Sequence, residues 1–135
     1  MTAPLGAPAP TRLLLDTHTF LWYAGGDMRR ISAEARDAIA AAASVYVSHA
    51  SAWELTIKSA LGKMRLAVTF RHALAVNQFE PLAMTLDHVD RVAELPRHHG
   101  DPFDRMLVAQ AAYEGLTLVT HDGQLAPYAV PILWT

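Results

Sequence analysis

Five short apolar runs, "RLLLD" (12–16), "VYVS" (45–48), "PLAMT" (81–85), "LTLVT" (116–120) and "VPILW" (130–134), punctuate the chain, and between most of them lie segments with helical spacing. Strands alternating with helices predict an α/β sandwich of three layers, a mostly parallel sheet of about five strands flanked by helices. At 135 residues the chain has length for one such core and not for two. We therefore expect a single domain over residues 13–135, preceded by a flexible N-terminal arm over residues 1–12, where Pro and small residues dominate. Ligands of open parallel sheets bind beyond the carboxyl ends of the strands. The residues that close the strands and open the next helices are thus the first candidates for chemistry.

Local punctuation supports this division. Gly25 and Gly26 end the helix begun by "THTFLWYA", and Ser32 can cap "ISAEARDAIAAAA". Ser51 with Glu54 three positions later resembles a capping box for "SAWELTIKSALGK", which Gly62 stops. "VTFRHALAVNQ" and "LDHVDRVAEL" predict two more helices, the second ended by Pro96. In "GDPFDRMLVAQA", Asp101 suits the N-cap, Pro102 the first helical position and Asp104 the third.

Four acids meet the positional criterion: Asp16 after the first strand, Glu54 near the start of the helix after the second, Asp104 opening the helix before the fourth, and Asp122 after the fourth. Each has a purely structural explanation as a cap or turn residue. Brought to one edge of one sheet, however, they would repel one another in a partly dry cleft unless a cation neutralised them. The chain has no cysteine, so thiolate zinc sites and thiol nucleophiles are excluded, and oxygen ligands on a rigid frame suit Mg²⁺ or Mn²⁺. Such ions activate water toward phosphodiesters. Lys58 and Arg105 are candidates for phosphate contact, and Thr17 and Thr120 for positioning a carboxylate.

Other residues are assigned ordinary roles at this level. The seven histidines show no zinc spacing such as HExxH, so His18, His98, His99 and His121 are expected on the surface or lining the cleft. Trp22 and Trp53 lie on helices next to acids, where they could stack bases, but both fit apolar helix faces and are expected to pack in the core. Thirteen acidic against eleven basic residues, a formal charge of −2, provide no global basic field, so a nucleic-acid substrate would need local contacts or bound cations. No segment could span a bilayer, and the composition is that expected of a cytoplasmic protein.

Taken together, "LLLDTHTFLW", "SAWELTIKSALGK", "DPFDRMLVAQA" and "LVTHD" resemble the PIN-domain ribonucleases, and specifically the VapC-type toxins of type II (VapBC) toxin–antitoxin systems. The resemblance covers nearly the whole chain after the N-terminal arm. It implies a PIN-like fold, Mg²⁺- or Mn²⁺-dependent endoribonuclease activity on RNA, a homodimer, and inhibition by a cognate VapB-type antitoxin. It also implies that Asp16, Glu54, Asp104 and Asp122 are the metal-binding catalytic acids; the small Gly123 after the aspartate departs from the family's fourth motif, so Asp122 is expected to approach the metal loosely or through water.

Two other readings remain open at this level: a PIN scaffold that binds RNA or a protein partner without cutting, and a different metal phosphohydrolase. "DTH" lacks the second aspartate of the familiar DxD hydrolase motif, which weighs against the latter.

Overall fold

The computed structural model describes residues 11–135. Most of the expected N-terminal arm lies outside the described residues, and Arg12, counted with that arm, instead opens the first strand. The strands are β1 (Arg12–Leu15), β2 (Ser44–Ser48), β3 (Glu80–Leu82), β4 (Thr117–Thr120) and β5 (Ile132–Trp134). The helices are α1 (Thr17–Ala24), α2 (Ala33–Ala41), α3 (His49–Ala60), α4 (Phe70–Asn77), α5 (Leu86–Glu94) and α6 (Pro102–Glu114). All four strand pairings are parallel, in the order β3-β2-β1-β4-β5. None of the helices is long and apolar enough to cross a membrane.

Three consecutive leucines in β1 are explained by burial on both faces, as parallel sheets require. Leu13 and Leu15 pack with Phe20 of α1, Ile39 of α2, Leu55 of α3 and Leu74 of α4. Leu14 points to the opposite layer, against Leu107, Val108 and Ala111 of α6, and α5 packs on α6 outside them. Each leucine so buried contributes about 1.5–3 kcal/mol through apolar surface removed from water. The result is the expected three-layer sandwich.

Register aligns the strand ends. Leu15 stands beside Val47 of β2 and Val119 of β4, which brings Asp16, Ser48 and Thr120 to one edge. The strand order also reverses here, running to β2 and β3 on one side of β1 and to β4 and β5 on the other, so the β1–β4 junction is the switch point of the sheet.

Three local expectations are corrected. Helix α3 begins one turn before the expected capping box, because Ser48 closes β2 and caps the helix at once, its Oγ accepting from Ala50 N at 2.9 Å. Ser51 and Glu54 are therefore both buried inside the helix. Helix α4 is shorter than expected, capped by Thr69 and ended by Gln78 in the left-handed region at φ 57°. The third strand lies one residue earlier, at Glu80–Leu82, with Pro81 tolerated because β3 is an edge strand.

Candidate active site

Asp16, Glu54, Asp104 and Asp122, carried by four different parts of the chain, line one cleft of about 340 Å³ at the switch point, together with Thr17, Lys58, His99 and Asp101. Each acid is fixed by its own partners. Asp16 caps α1, Oδ1 accepting from Thr19 N at 2.8 Å, while Oδ2 accepts from Thr120 Oγ1 at 2.6 Å. The Thr120 hydroxyl in turn accepts from Asp122 N at 3.1 Å, so one buried side chain of β4 links two of the acids.

Glu54 is buried between a hydroxyl and an ammonium. Thr17 Oγ1 donates to its Oε1 at 2.5 Å and lies 3.0 Å from Ser51 Oγ. Lys58, one helical turn on, places Nζ 2.5 Å from Oε2. The hydrogen bond and charge of Glu54 hold the Lys58 ammonium above its ordinary pKa, against the opposing effect of burial. Lys58 is thus already engaged by an acid in this arrangement.

Asp104 occupies the third position of α6 behind its cap, as the residue pattern predicts: Asp101 Oδ1 accepts from Phe103 N at 2.8 Å and from Asp104 N at 3.1 Å. Burial, then the charges of Asp101, Asp16 and Glu54, push the Asp104 carboxyl up to about 6, although a hydrogen bond from His99 opposes them. The His99 Nε2 lies 2.9 Å from Asp104 Oδ2 and 3.3 Å from Asp122 Oδ2. Burial lowers the His99 pKa, but the Asp104 bond and the surrounding acids outweigh it and raise the imidazole overall. Asp122 also caps the short turn that follows, Oδ1 accepting from Gln124 N at 3.0 Å.

His99 was assigned only a cleft-lining position from the residues, yet it bridges two of the acids. The signal available was its place in the Pro96–Asp101 connection, five residues before Asp104; what hides it is that the connection has no periodic pattern. Arg105 departs further from expectation. Its guanidinium does not line the cleft but donates to Pro96 O, Val92 O and Leu95 O and to the Tyr128 hydroxyl. The same hydroxyl accepts from His99 N at 3.1 Å. Arg105 therefore straps down the loop that carries His99. Trp53 also corrects its expectation: it is 57% exposed, edge-on to Phe103 at 5.4 Å. Trp22 is half-buried against the core.

The donor set, carboxylates with one imidazole, suits a divalent cation. Ligand atoms of His99, Asp104 and Asp122 lie within 4.8 Å of one another, and the hydrogen-bonded carboxylates of Asp16 and Glu54 retain lone pairs for a further partner. A carboxyl held near 6 by burial and by neighbouring acids is one whose ionised form a cation would stabilise.

The chain matches the PIN domain family over residues 13–130. No curated protein sequence matches it at a significant level. Among solved structures it resembles the crystal structure of VapBC2 from Rickettsia felis bound to a promoter DNA fragment, with TM-score 0.68 and 13% identity, covering 92% of this chain and 98% of that one. It likewise resembles DNA-bound VapBC from Salmonella typhimurium, with TM-score 0.62, 20% identity and coverage of 92% and 98%. For a toxin–antitoxin complex from Klebsiella pneumoniae the values are 0.59, 18%, 90% and 95%. At these identities the structural likeness speaks for the fold, and the match over residues 13–130 for descent: the chain belongs to the PIN domain family.

Proposed function

We propose that this chain is a divalent-metal-dependent endoribonuclease that hydrolyses RNA phosphodiester bonds as the toxin of a toxin–antitoxin pair, held inactive by a VapB-type antitoxin. The observation that carries the chemistry is the convergence of Asp16, Glu54, Asp104 and Asp122 on one cleft, with Asp104 held near 6 by burial first and by the surrounding acids second. Support for the partner comes from the VapBC and toxin–antitoxin complexes that share the fold. A homodimer acting in the cytoplasm belongs to the same reading.

Asp16, Asp104 and Asp122 would hold Mg²⁺ or Mn²⁺, with Glu54 completing the site directly or through water. The ion supplies Lewis acidity, lowering the pKa of water and stabilising charge on the departing oxygen. The protein's part is to keep the ligands oriented before substrate arrives. Thr120 and the Thr19 amide hold both oxygens of Asp16, Thr17 and Lys58 hold those of Glu54, and the Asp101 cap fixes the backbone of Asp104. His99, hydrogen-bonded to Asp104 and 3.3 Å from Asp122, tempers their mutual repulsion. Lys58, whose ammonium rests on Glu54 in the same cleft, would be the cation nearest a phosphate held there.

The test is incubation of purified, partner-free protein with cellular RNA and Mg²⁺ or Mn²⁺. Cleavage should appear, and should vanish in Asp16→Ala and in excess EDTA. Cleavage that survives both refutes the metal-site reading, and divalent-ion binding without turnover on any RNA assigns the chain to the non-catalytic scaffolds.

A further inference from the structure

Beside the acids lies a group of rings that the hydrolytic chemistry does not use. His18 and His121 line the same cleft as Asp16 and Asp122. Their rings meet edge to face with centroids 5.5 Å apart. Trp22 lies against both, 4.8 Å from the His121 ring and 5.7 Å from His18. The Arg30 guanidinium stands over the Trp22 ring, 5.7 Å from its centroid, and is steadied by Asp27, whose Oδ2 lies 2.9 Å from Arg30 Nε.

Three features of this group bear on what it takes. Its rings come from two parts of the chain, α1 and the turn after β4, so they assemble only in the fold. Trp22 is wedged against the core while His121 is exposed, an arrangement in which a fixed indole backs a ring that faces solvent. And the rings adjoin the acids in sequence as well as in space, His18 two residues after Asp16 and His121 immediately before Asp122. An occupant of this place would touch the rings and the carboxylate cleft together. Planar π-systems with an adjacent guanidinium are the chemistry that accepts a nucleobase face and its neighbouring phosphate.

We propose that His18, Trp22 and His121 form a stacking platform for the nucleobase next to the scissile phosphate, with Arg30 attracting the phosphate beyond it. The proposal rests on the ribonuclease reading above and specifies how that site grips single-stranded RNA. Stacking of this kind is tolerant of base identity, because every base presents a π-face. The platform therefore sets the register of the strand over the acids rather than a sequence preference.

The experiment compares the affinity of a fluorescein-labelled single-stranded oligoribonucleotide with that of the same length of abasic ribose-phosphate, by anisotropy with Ca²⁺ replacing Mg²⁺ or Mn²⁺. The ratio of the two Kd values isolates base stacking from phosphate attraction and from general effects on folding. The wild-type ratio should be about 10 or more, and it should fall about five- to tenfold in His121→Ala, whose exposed side chain can be removed without disturbing the core. Trp22→Leu should lower the ratio likewise, with unfolding followed separately since Trp22 supports the core. Arg30→Gln should weaken both oligomers alike and reduce the salt dependence of binding.

An unchanged ratio in His121→Ala, with RNA still bound and cut, overturns the platform and leaves the ribonuclease standing. A wild-type protein that neither binds nor cuts RNA overturns both. Loss of a co-expressed protein partner on His121→Ala, with the ratio unchanged, assigns the rings to a protein contact instead and also overturns the proposal.

Discussion

Replacing Asp104 by Asn should stabilise the metal-free protein at neutral pH, although Asp104 is half-hidden and hydrogen-bonded. The Asp104 carboxyl is pushed from 3.8 to about 6, so between these values the folded chain keeps a proton that the unfolded chain has released. Stability from this group therefore falls as the pH rises from about 4 to about 6 and stays low above that. At about 1.4 kcal/mol per pH unit, the ionised carboxylate costs about 3 kcal/mol, and solvent screening at its open side reduces this to about 2. The His99 contact is itself stabilising and follows the same pH direction: its raised pKa contributes stability that is complete below the ordinary imidazole value and lost as the pH rises through the raised one. An amide oxygen at position 104 still accepts from His99 but gives up the ion pair, subtracting less than about 1 kcal/mol. Urea denaturation in EDTA should show a net gain of about 1–2 kcal/mol for Asp104→Asn at about pH 7.5, shrinking to within about 0.5 near pH 4. A variant less stable than wild type at pH 7.5, or equally altered at both pH values, refutes the claim that burial and neighbouring acids make the ionised Asp104 costly.

Other perturbations test the supports of the site. Thr120→Val keeps the shape but removes the hydroxyl that donates to buried Asp16 and accepts from Asp122 N; it should cost about 2 kcal/mol, whereas Thr56→Val on the surface should change stability by less than about 0.5. Equal effects of the two in urea denaturation would contradict the Asp16 account. Arg105→Gln should speed amide exchange at His99 and Gly100 by at least about tenfold, because about 1.4 kcal/mol of local restraint corresponds to that factor; unchanged exchange would show that the strap does not hold this loop. Mn²⁺ at about 100 times its Kd should raise wild-type stability by about 2.7 kcal/mol. The same Mn²⁺ concentration should do less near pH 5, where Asp104 is largely protonated, and a larger shift at the lower pH would contradict the ligand assignment.

What the residues disclose on their own divides along physical lines. The β1 run and the helix "RMLVAQA" were legible because burial imposes period and composition, and the Asp101–Pro102–Asp104 start was legible because a cap acts within one turn. The α3 start is hidden in the sequence because Ser48 serves as strand end and cap at once, leaving no loop to mark the junction, and the Ser51–Glu54 spacing mimics a box that the fold does not form. His99 and Arg105 depend on tertiary placement: the first reaches the acids from an irregular connection, and the second spends its guanidinium on three carbonyls and a tyrosine that no local pattern announces. Trp53 was assigned to the core from helical spacing, yet only the arrangement of α3 against α6 decides which side of that spacing meets solvent.

In the proposed reaction the four acids direct solvent water, not the ribose hydroxyl, at an RNA phosphodiester. Cleavage of a defined single-stranded RNA with Mn²⁺ in ¹⁸O-labelled water, followed by mass spectrometry of the fragment ends, tests it most directly. The account predicts ¹⁸O in the phosphate produced by the cut, no 2′,3′-cyclic phosphate, and no products from Asp16→Ala. Cyclic phosphate ends without label, or unchanged cutting by Asp16→Ala, would contradict it.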